Sequence, residues 1–259
     1  MTTPHTQHPV PRHPHAWIGW VVASQLLVVL LWWRLGWHWG VPALLLSHAL
    51  FVVPVFLPWS GFYGPALVRL ADVGQAVWLT IDDGPSDDTV PILDLLDRHG
   101  ARATFFLVGA RAQARPELVQ EILRRGHGIG NHSHTHPQAH FWRLGPRAMA
   151  REIDAAQQAL AQVAGAAPRW FRSVVGMTNP FVAASLRRHG LVRVAWCARG
   201  YDAVDGDPDR VLRRIESGLA PGAIVLLHEG APHGASVRIV EAVLERLAER
   251  GYRSVVPPA

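Results

Sequence analysis

Two long uncharged stretches open the hydrophobic pattern of this chain. Residues 17–33 and 39–59 have no charged side chain, begin and end with Trp, and are separated by Arg34. A helix needs about 20 apolar residues to cross a bilayer, and Trp concentrates at membrane interfaces. The pattern predicts a membrane hairpin of two helices over residues 17–60. A single signal-anchor helix followed by an interfacial segment is the alternative, because the second stretch contains Pro42, Pro54 and Pro58.

Segments of different composition flank this hairpin. Residues 1–16 contain four histidines and four prolines, and too few apolar residues to form a core. They are therefore predicted to be a disordered tail rather than a metal site. Residues 61–74 are rich in glycine and are predicted to be a linker. The remaining residues, 75–259, are assigned to one soluble domain.

Within residues 75–259, short apolar segments alternate with longer amphipathic ones. The short segments are predicted to be strands, at residues 76–81, 104–108, 128–130, 170–172, 193–196, 223–227 and 253–255. The longer segments are predicted to be helices, several of which begin with proline and end before glycine, at residues 89–99, 116–125, 146–164, 180–189, 208–217 and 236–250. Six or seven strand–helix units indicate an α/β fold with a parallel barrel; a doubly wound open sheet is the alternative.

Composition narrows the chemistry and the partners. The formal net charge of +5 suits anionic surroundings, such as lipid head groups or an acidic polymer. The arginines are scattered, without a basic block or an aromatic RNA-binding signature, so no nucleic acid partner is expected. All 25 basic residues are arginine, and the absence of lysine excludes a Schiff-base mechanism. The single Cys197 excludes an internal disulfide and a cysteine-rich metal site, and we expect it on a buried strand.

Two adjacent carboxylates end the first predicted strand of the domain. Asp82 and Asp83 are followed by Gly84-Pro85, which is a turn signal. Neighbouring side chains on a strand point to opposite sides, so the pair can serve two separate tasks at one strand end. A solvated acidic turn that caps the next helix is the alternative. The apolar strand over residues 223–227 ends in His228, on the edge of a parallel barrel where active sites of such folds lie.

Histidines with the spacing of metal ligands follow the third predicted strand. His132 and His136 are four residues apart and can face the same way on a helical turn, whereas His134 falls elsewhere. Catalytic zinc-type sites use three protein ligands and leave one position for water. Asp82 or Asp83 would complete such a set. An exposed polar loop is the alternative for these histidines.

Together these stretches resemble the polysaccharide deacetylase family, which is carbohydrate esterase family 4 and carries the NodB homology domain. The first, second and last motifs of that family are similar to Thr80-Ile81-Asp82-Asp83-Gly84-Pro85, His132-Ser133-x-x-His136 and Leu226-x-His228. The resemblance runs from about residue 73 to the C-terminus and implies a deformed (β/α) barrel of about seven strands. It implies Asp82 as the general base, His228 as the general acid, and three metal ligands, Asp83, His132 and His136.

The third motif of the family is altered in this chain. It normally has an arginine followed by two prolines and an aromatic residue, whereas here Arg172 is followed by Ser173-Val174-Val175. The resemblance implies that Arg172 pairs with Asp82 and keeps it ionised through its opposite charge. It also implies that a backbone N–H of this stretch binds the oxyanion, a role that does not need the aromatic side chain.

The fourth motif is altered as well. It normally has two aspartates three residues apart followed by tryptophan, and here Asp202 and Asp205 are followed by Gly206. Asp202 is implied to orient His228 and to raise its pKa, with Asp205 as the alternative. The missing aromatic side chains would reshape the pocket, so these departures affect the choice of substrate more than the chemistry.

The resemblance implies metal-dependent hydrolysis of an N-acetyl group on an amino-sugar-containing glycan, with acetate and a free amine as products. The Asp-His-His donor set favours zinc, and cobalt fits the same set. No cofactor-binding residues are expected, because the spacing of Gly126, Gly128 and Gly130 is not a dinucleotide fingerprint. The chain lacks a G-x-S-x-G elbow, which argues against a serine hydrolase.

The hairpin adds a membrane location to this function. Membrane lipid is expected to contact the helices and the catalytic domain is expected outside the cytoplasm, although one arginine on each flank does not decide the orientation. Two alternatives stay open on the sequence. One is a non-catalytic glycan-binding or scaffold protein on the same fold, which the altered motifs suggest. The other is an amide hydrolase for a non-carbohydrate substrate such as a lipid-linked amide, which the apolar N-terminus suits. The sequence indicates no particular protein partner.

Overall fold

A computed structural model describes residues 10–258 of the chain. Its first elements are two apolar helices, α1 (Ala16–Leu35) and α2 (Trp37–Val52), followed by a 3-10 turn at Val53–Phe56. Gly36 joins the helices with φ +81°, a left-handed conformation that glycine adopts without steric cost. This single-residue connection allows the two helices to run antiparallel, so that Ala16 and Val52 lie at the same end of the pair.

Small and polar side chains pair the two helices. Gln25 donates from Nε2 to Ser47 Oγ at 2.8 Å, and the Trp32 ring packs on Gly40, where a Cβ would overlap the indole. Small residues and interhelical hydrogen bonds are what hold helices together in lipid. Both helices are long and apolar enough to cross a membrane by length and composition, and only 6% and 17% of their apolar windows are buried. The predicted pair of apolar helices is therefore present.

The strands of the α/β domain form one parallel sheet that curls into a partial barrel. In the described part of the chain they are β1 (Ala76–Gly84), β2 (Ala103–Leu107), β3 (Gly128–Asn131), β4 (Trp170–Phe171), β5 (Val192–Arg193), β6 (Ala198–Arg199), β7 (Ile224–His228) and β8 (Arg253–Ser254). Seven of them lie in the order β5-β4-β3-β2-β1-β7-β6, and β8 pairs with the start of β1. The edge strands β5 and β6 are consecutive in sequence, so the sheet is a barrel opened at one seam. The predicted deformed barrel is confirmed, and the doubly wound alternative is wrong.

Helices cover the outer face of this sheet. They are α3 (Thr89–Arg98), α4 (Gly109–Ala114), α5 (Pro116–Arg124), α6 (Pro146–Ala164), α7 (Val182–His189), α8 (Pro208–Gly218) and α9 (Ser236–Glu249). Alternation along β1 separates two cores, because Val77, Leu79 and Ile81 pack outward against the helices while Trp78 packs inside the barrel. The inward row of β1 therefore continues to Asp82.

The structure departs from the predicted elements where segments are too short to show a period. The sequence pattern indicates neither α4 nor β6, which have six and two residues. The strand predicted over residues 193–196 is wrong in extent, because β5 ends at Arg193 and Val194 pairs instead with Leu67. The expectation of a buried strand at Cys197 is also wrong, since this residue lies half-buried in a bend before β6.

Part of the predicted linker, residues 61–74, is bonded to the seam of the barrel. Leu67 donates from its backbone N–H to the Arg193 carbonyl at 2.8 Å. Leu70 donates in the same way to the Gly222 carbonyl, also at 2.8 Å. The segment that leads out of the hairpin therefore contacts β5 on one side of the seam and the residues before β7 on the other, and it satisfies backbone groups that an open seam would leave unpaired.

The predicted disordered tail, residues 1–16, falls partly outside the described residues, which begin at residue 10. Residues 10–15 contact the domain: Pro11 is buried beside Gly64, and the Arg12 carbonyl accepts a hydrogen bond from Arg187. Proline has no backbone N–H to satisfy, so it buries its apolar ring at little cost. This part of the tail therefore packs despite its polar composition.

Candidate active site

The inward row of β1 ends in a buried carboxylate inside the barrel. The Thr80 hydroxyl donates to the Val225 carbonyl at 2.6 Å, which satisfies the polar atom that strand alternation places in the interior. Asp82 is the next inward residue, is 3% exposed, and lies beside His228 in the register of β1 with β7. The two strand ends therefore bring together two of the residues predicted to be catalytic.

A fully buried arginine holds the Asp82 carboxylate. Arg172 follows β4, is 0% exposed, and donates from its guanidinium to Asp82 Oδ1 at 2.7 Å. Its other donors reach the carbonyls of Val194 and Ala195, and its Cζ lies 4.2 Å from the Phe106 ring centroid. Burial lowers the pKa of Arg172, and the charge of Asp82 opposes that shift. The guanidinium nitrogens of Arg172 therefore all donate hydrogen bonds within the protein, and they fix one orientation of the Asp82 carboxylate.

Three side chains with metal-ligand atoms converge next to Asp82. The Oδ1 atom of Asp83 lies 3.3 Å from His132 Nε2 and 2.9 Å from His136 Nε2, and the three ligand atoms lie within 4.8 Å of one another. Asp83 has φ +73°, a left-handed conformation that turns its side chain off the strand. Burial alone raises the pKa of Asp83, but the two imidazoles outweigh it and hold the pKa of this carboxyl well below its usual range.

This donor set fits a divalent cation. The buried Oδ1 of Asp83 makes no hydrogen bond of good geometry with any residue in the described part of the chain. The Nδ1 atom of His132 hydrogen-bonds the Arg172 carbonyl at 2.9 Å, which places the proton on Nδ1 and leaves the Nε2 lone pair facing Asp83. One carboxylate oxygen and two imidazole nitrogens form the three-ligand set of a catalytic zinc-type site. Asp83, His132 and His136 are the residues that can hold the ion.

Backbone turns, not a helix, bring the two histidines together. Asn131 at the end of β3 is buried and accepts a hydrogen bond from the Ser133 N–H at 2.9 Å. Ser133 and His136 have φ values of +68° and +56°, both in the left-handed region. The expectation of a helical turn is therefore wrong in its local geometry, although His132 and His136 do face the same point.

The middle histidine of the loop is not part of the set. His134 packs against Gly109 of α4, and its backbone N–H donates to Glu152 of α6 at 3.1 Å. A Cβ at position 109 would crowd the His134 ring, so the glycine is needed for this close approach. His134 is therefore a packing residue that holds the loop against the helices.

A second pair of polar residues lies across the strand ends from the metal set. Asp202 accepts from the backbone N–H of His228 at 2.6 Å, and its Oδ1 lies 3.1 Å from His228 Nδ1. Burial alone lowers the pKa of His228, but the charge and hydrogen bond of Asp202, with smaller contributions from Asp82 and Asp83, raise it to about 9. The imidazole is therefore protonated at neutral pH, with its Nδ1 proton directed to Asp202.

The alternative partner of His228 is engaged elsewhere. Asp205 accepts from Arg210 and Arg214 of α8 at 2.9 Å each, and no contact of its carboxylate is made with His228 in the described structure. Arg210 and Arg214 hold the pKa of Asp205 well below its usual range through hydrogen bonds and charge. The two aspartates of the fourth motif therefore divide into one that orients His228 and one that anchors the turn to α8.

Glu229 is a candidate positioning residue that motif reasoning misses, because it stands outside the five motifs. Its Oε2 accepts from Ser86 Oγ at 2.7 Å and from Thr89 Oγ1 at 2.5 Å, and its Oε1 has no partner among residues 10–258. Burial raises the pKa of Glu229 to about 7. A Cβ on Gly84 would overlap this carboxylate. Glu229 and Gly84 therefore pack together and fix the turn that carries Asp83; the glycine after the acidic pair is the only local signal.

Exposed side chains lie in or next to the altered third and fourth motifs. Val175 is 41% exposed, Tyr201 49% and Val204 80%. We call these three residues the catalytic rim. Val175 and Tyr201 have φ values of +53° and +64°, and for the β-branched Val175 this conformation is strained. The stretch after Arg172 thus turns sharply, with Gly176 packed on the Trp196 ring.

The fold and this geometry agree with matches to known proteins. The family model for polysaccharide deacetylase matches residues 71–194. The chain is 32% identical over 185 residues to a chitooligosaccharide deacetylase of Bradyrhizobium sp. (strain ANU 289), covering 71% of this chain and 84% of that protein. This chain therefore belongs to the polysaccharide deacetylase family, carbohydrate esterase family 4.

Two further proteins place the chain within that family. The peptidoglycan-N-acetylglucosamine deacetylase PgdA of Listeria monocytogenes serotype 1/2a (strain 10403S) is 32% identical over 199 residues, which cover 74% of this chain and 41% of PgdA. A solved structure of a family 4 carbohydrate esterase from Streptomyces lividans in complex with acetate has a TM-score of 0.64 at 32% identity, over 70% of this chain and 92% of that one. The curled half-barrel of seven parallel strands is the fold that this chain shares with that esterase.

Proposed function

We propose that this protein is a membrane-tethered, metal-dependent deacetylase that hydrolyses the N-acetyl group of an amino sugar in a glycan. The observation that carries the proposal is the convergence of the Asp82–Arg172 pair, the Asp83–His132–His136 set and the Asp202–His228 pair on one end of the barrel. A general base, a metal set and a general acid are the parts that metal-assisted amide hydrolysis requires. The similarity to chitooligosaccharide and peptidoglycan deacetylases supports the substrate class.

The metal ligands are held in place by the protein itself. Asp83 is turned by its left-handed backbone, and His132 is oriented by the Arg172 carbonyl at 2.9 Å. A divalent cation bound to these residues and His136 would supply a Lewis acid for the acyl oxygen and for a coordinated water. Zinc suits one carboxylate and two imidazoles, and cobalt is compatible with the same ligands.

Asp82 is proposed to take the proton of the attacking water. Its Oδ1 is engaged by Arg172 at 2.7 Å, whereas its Oδ2 lies 3.7 Å from His132 Nε2 and faces the metal set. A carboxylate in a fixed orientation beside the nucleophile is a suitable general base. The buried arginine keeps that oxygen from rotating away.

His228 is proposed to protonate the departing amine. With a pKa of about 9 it carries its proton at neutral pH, and Asp202 at 3.1 Å engages Nδ1, so that Nε2 presents the other proton. The oxyanion is proposed to be stabilised by backbone N–H groups at the start of the 3-10 turn Val174–Gly176, since the first donors of a helical turn lack internal partners.

Acetate release from a panel of N-acetylated glycans tests this function. Metal-loaded wild-type protein should release acetate and a free amine, and Asp82→Asn and His228→Ala should remove nearly all of the release. Asp205→Asn is the matched control, because it removes a carboxylate from the same turn as Asp202 without touching His228. No release from any substrate by metal-loaded protein would support the non-catalytic scaffold instead.

The proposed organisation is a membrane hairpin over residues 17–60, a linker over 61–74 and a deacetylase domain over 75–259, outside the cytoplasm. The length and apolar composition of the two helices support the tether. Full-length protein should remain with the membrane fraction after an alkaline carbonate wash, and a C-terminal alkaline phosphatase fusion should be active. Release by carbonate would overturn the tether, and an inactive, stable fusion would overturn the orientation.

A further inference from the structure

The exposed side of the active site adjoins the base of the hairpin. Thr178 donates from its backbone N–H to the Val55 carbonyl at 2.9 Å, and Pro58 lies against Gly176. The ring centroids of Phe56 and Trp142 are 5.6 Å apart. The segment that leaves α2 is therefore packed on the chain directly after Arg172, beside the stretch proposed to bind the oxyanion.

This contact brings the catalytic rim close to the end of the hairpin that meets the domain. The antiparallel helices have both outer ends, at Ala16 and Val52, on the side of the domain, and each 20-residue span measures about 30 Å. Trp59 is exposed next to these ends, as is typical of a side chain at a bilayer interface. Val175 and Tyr201 of the rim line one cavity with Trp59, so the rim lies near the end of the hairpin that meets the domain.

An open cavity of about 670 Å³ connects the two regions. Phe56, Pro58 and Trp59 of the hairpin base line one side, and Val175 and Tyr201 of the catalytic rim line the other. The hairpin base makes one part of the lining apolar, whereas Arg199, Arg214 and Ser217 make another part polar. The apolar part suits an apolar chain, and the polar part suits a charged group next to it.

One arginine in this cavity has uncommitted hydrogen-bond donors. The Cζ of Arg199 lies 5.3 Å from the Trp196 ring centroid and 4.2 Å from that of Tyr201, so the guanidinium is held by aromatic stacking. Its Nε is buried without a hydrogen-bond partner, and no ion pair is formed with any residue of the described chain. Arg214, which also lines the cavity, is by contrast paired with Asp205 at 2.9 Å.

We propose that this cavity binds the phosphate and the adjoining apolar chain of a lipid-linked amino sugar, so that the substrate is a membrane-embedded N-acetylated glycolipid. A guanidinium is well matched to phosphate because it offers parallel N–H donors and a fixed positive charge. The apolar residues of the hairpin base accept the lipid, and the sugar lies towards Val175 and Tyr201, which are next in sequence to Val174 and Asp202 of the proposed active site. This inference rests on the proposed deacetylase function, whose chemistry it leaves unchanged.

Binding by the full-length protein in lipid nanodiscs tests the inference. The probe is N-acetylglucosamine joined through a phosphate to an isoprenoid chain, and the comparison ligand is a phosphate-free glycoside with the same chain. Arg199→Gln should weaken binding of the phosphate ligand by roughly tenfold or more, the cost of losing charge-assisted hydrogen bonds. Arg199→Lys keeps the charge but loses the parallel N–H donors and the stacking, so its affinity should lie between those of the wild type and Arg199→Gln. Arg213→Gln, an exposed arginine of α8 outside the cavity, should bind as the wild type does.

The outcomes separate this inference from the function on which it rests. Equal affinity for the two ligands, or unchanged affinity in a folded Arg199→Gln protein, would overturn the lipid-phosphate site. Acetate release from soluble chitooligosaccharide at the rate seen with the lipid-linked substrate would also overturn it, while leaving deacetylation intact. Arg199-dependent binding without acetate release from any substrate would support the site and count against the deacetylase.

Discussion

The catalytic floor and the catalytic rim of this protein are built in opposite ways. The floor consists of buried or half-buried polar side chains at or after strand ends, each held by another, namely Asp82, Asp83, His132, His136, Arg172, Asp202 and His228. The rim residues Val175, Tyr201 and Val204 are exposed and lie in turns between elements. Replacing one of several interior polar groups that hydrogen-bond each other costs stability, whereas replacing an exposed turn residue usually does not. We therefore expect the floor to determine the reaction and the rim to determine which substrate reaches it.

The largest effect should follow removal of the metal ligand at the centre of the floor. Asp83→Ala should abolish stoichiometric zinc binding and lower acetate release about a thousandfold or more, because Lewis-acid catalysis contributes several kcal/mol. Metal content by mass spectrometry and acetate release measure the two effects. His134→Ala is the matched control from the same loop and should retain the metal, since His134 contacts Gly109 instead. Full metal occupancy in Asp83→Ala would contradict the assignment of Asp83 as a metal ligand.

A second change separates proton chemistry from metal binding within the floor. Protonated His228 is present below its pKa of about 9, so the rate should fall as pH rises through that value. Asp202→Asn removes the main interaction that raises this pKa, and burial then lowers it, so the basic limb should move to lower pH. At neutral pH the rate should fall about a hundredfold.

The pH profile of kcat/KM measures this shift, with metal content as the control. Asp202→Asn should bind as much zinc as the wild type, because Asp202 lies on the opposite side of Asp82 from the ligands. An unchanged basic limb would show that Asp202 does not set the protonation of His228.

A smaller effect should come from the turn beneath the acidic pair. Gly84→Ala places a Cβ against the Glu229 carboxylate, so the turn must shift and Asp83 with it. We expect zinc affinity to fall about tenfold, the scale of effects from residues that orient metal ligands. Gly145→Ala, where a Cβ meets no neighbour, should leave the affinity unchanged. Wild-type affinity in Gly84→Ala, measured by competition with a chelator, would show that the turn is not a support for the site.

The smallest effect should appear at the rim. Val175→Tyr restores an aromatic side chain near the pocket and should lower KM for soluble chitooligosaccharides about threefold to tenfold, the scale of one aromatic contact. Zinc content and the pH profile should not change. Val90→Tyr, at an exposed valine outside the rim, should have no effect on KM. A loss of metal in Val175→Tyr would break the division between floor and rim.

The sequence predicts the floor well because each of its members ends or follows a segment with a clear pattern. The apolar runs of β1 and β7 identify Asp82 and His228 as strand-end residues, and parallel strands bring such ends to one edge. The spacing of His132 and His136 identifies a ligand pair even though the connecting turn is not helical. These features are local in sequence, so they can be read without the fold.

The contacts that local sequence patterns cannot predict are long-range or lie in very short elements. Asp202 and Asp205 share one turn, and only the register of the two-residue strand β6 with β7 brings Asp202 to His228. Glu229 and Gly84 pack together although they lie near opposite ends of the domain in sequence, and no sequence pattern links the two positions. The packing of Pro58 on Gly176 depends likewise on how residues 53–74 cross the seam.

A metal-reconstitution assay tests the central claim most directly. Full-length protein is stripped with a chelator, given about one equivalent of zinc per chain, and assayed for acetate release from an N-acetylated glycan. We expect release only from the zinc-loaded wild type, with Asp82→Asn binding the same amount of zinc but releasing no acetate. Equal release from the stripped wild type, or full activity in zinc-loaded Asp82→Asn, would contradict the assignment of this floor as a metal-dependent deacetylase site.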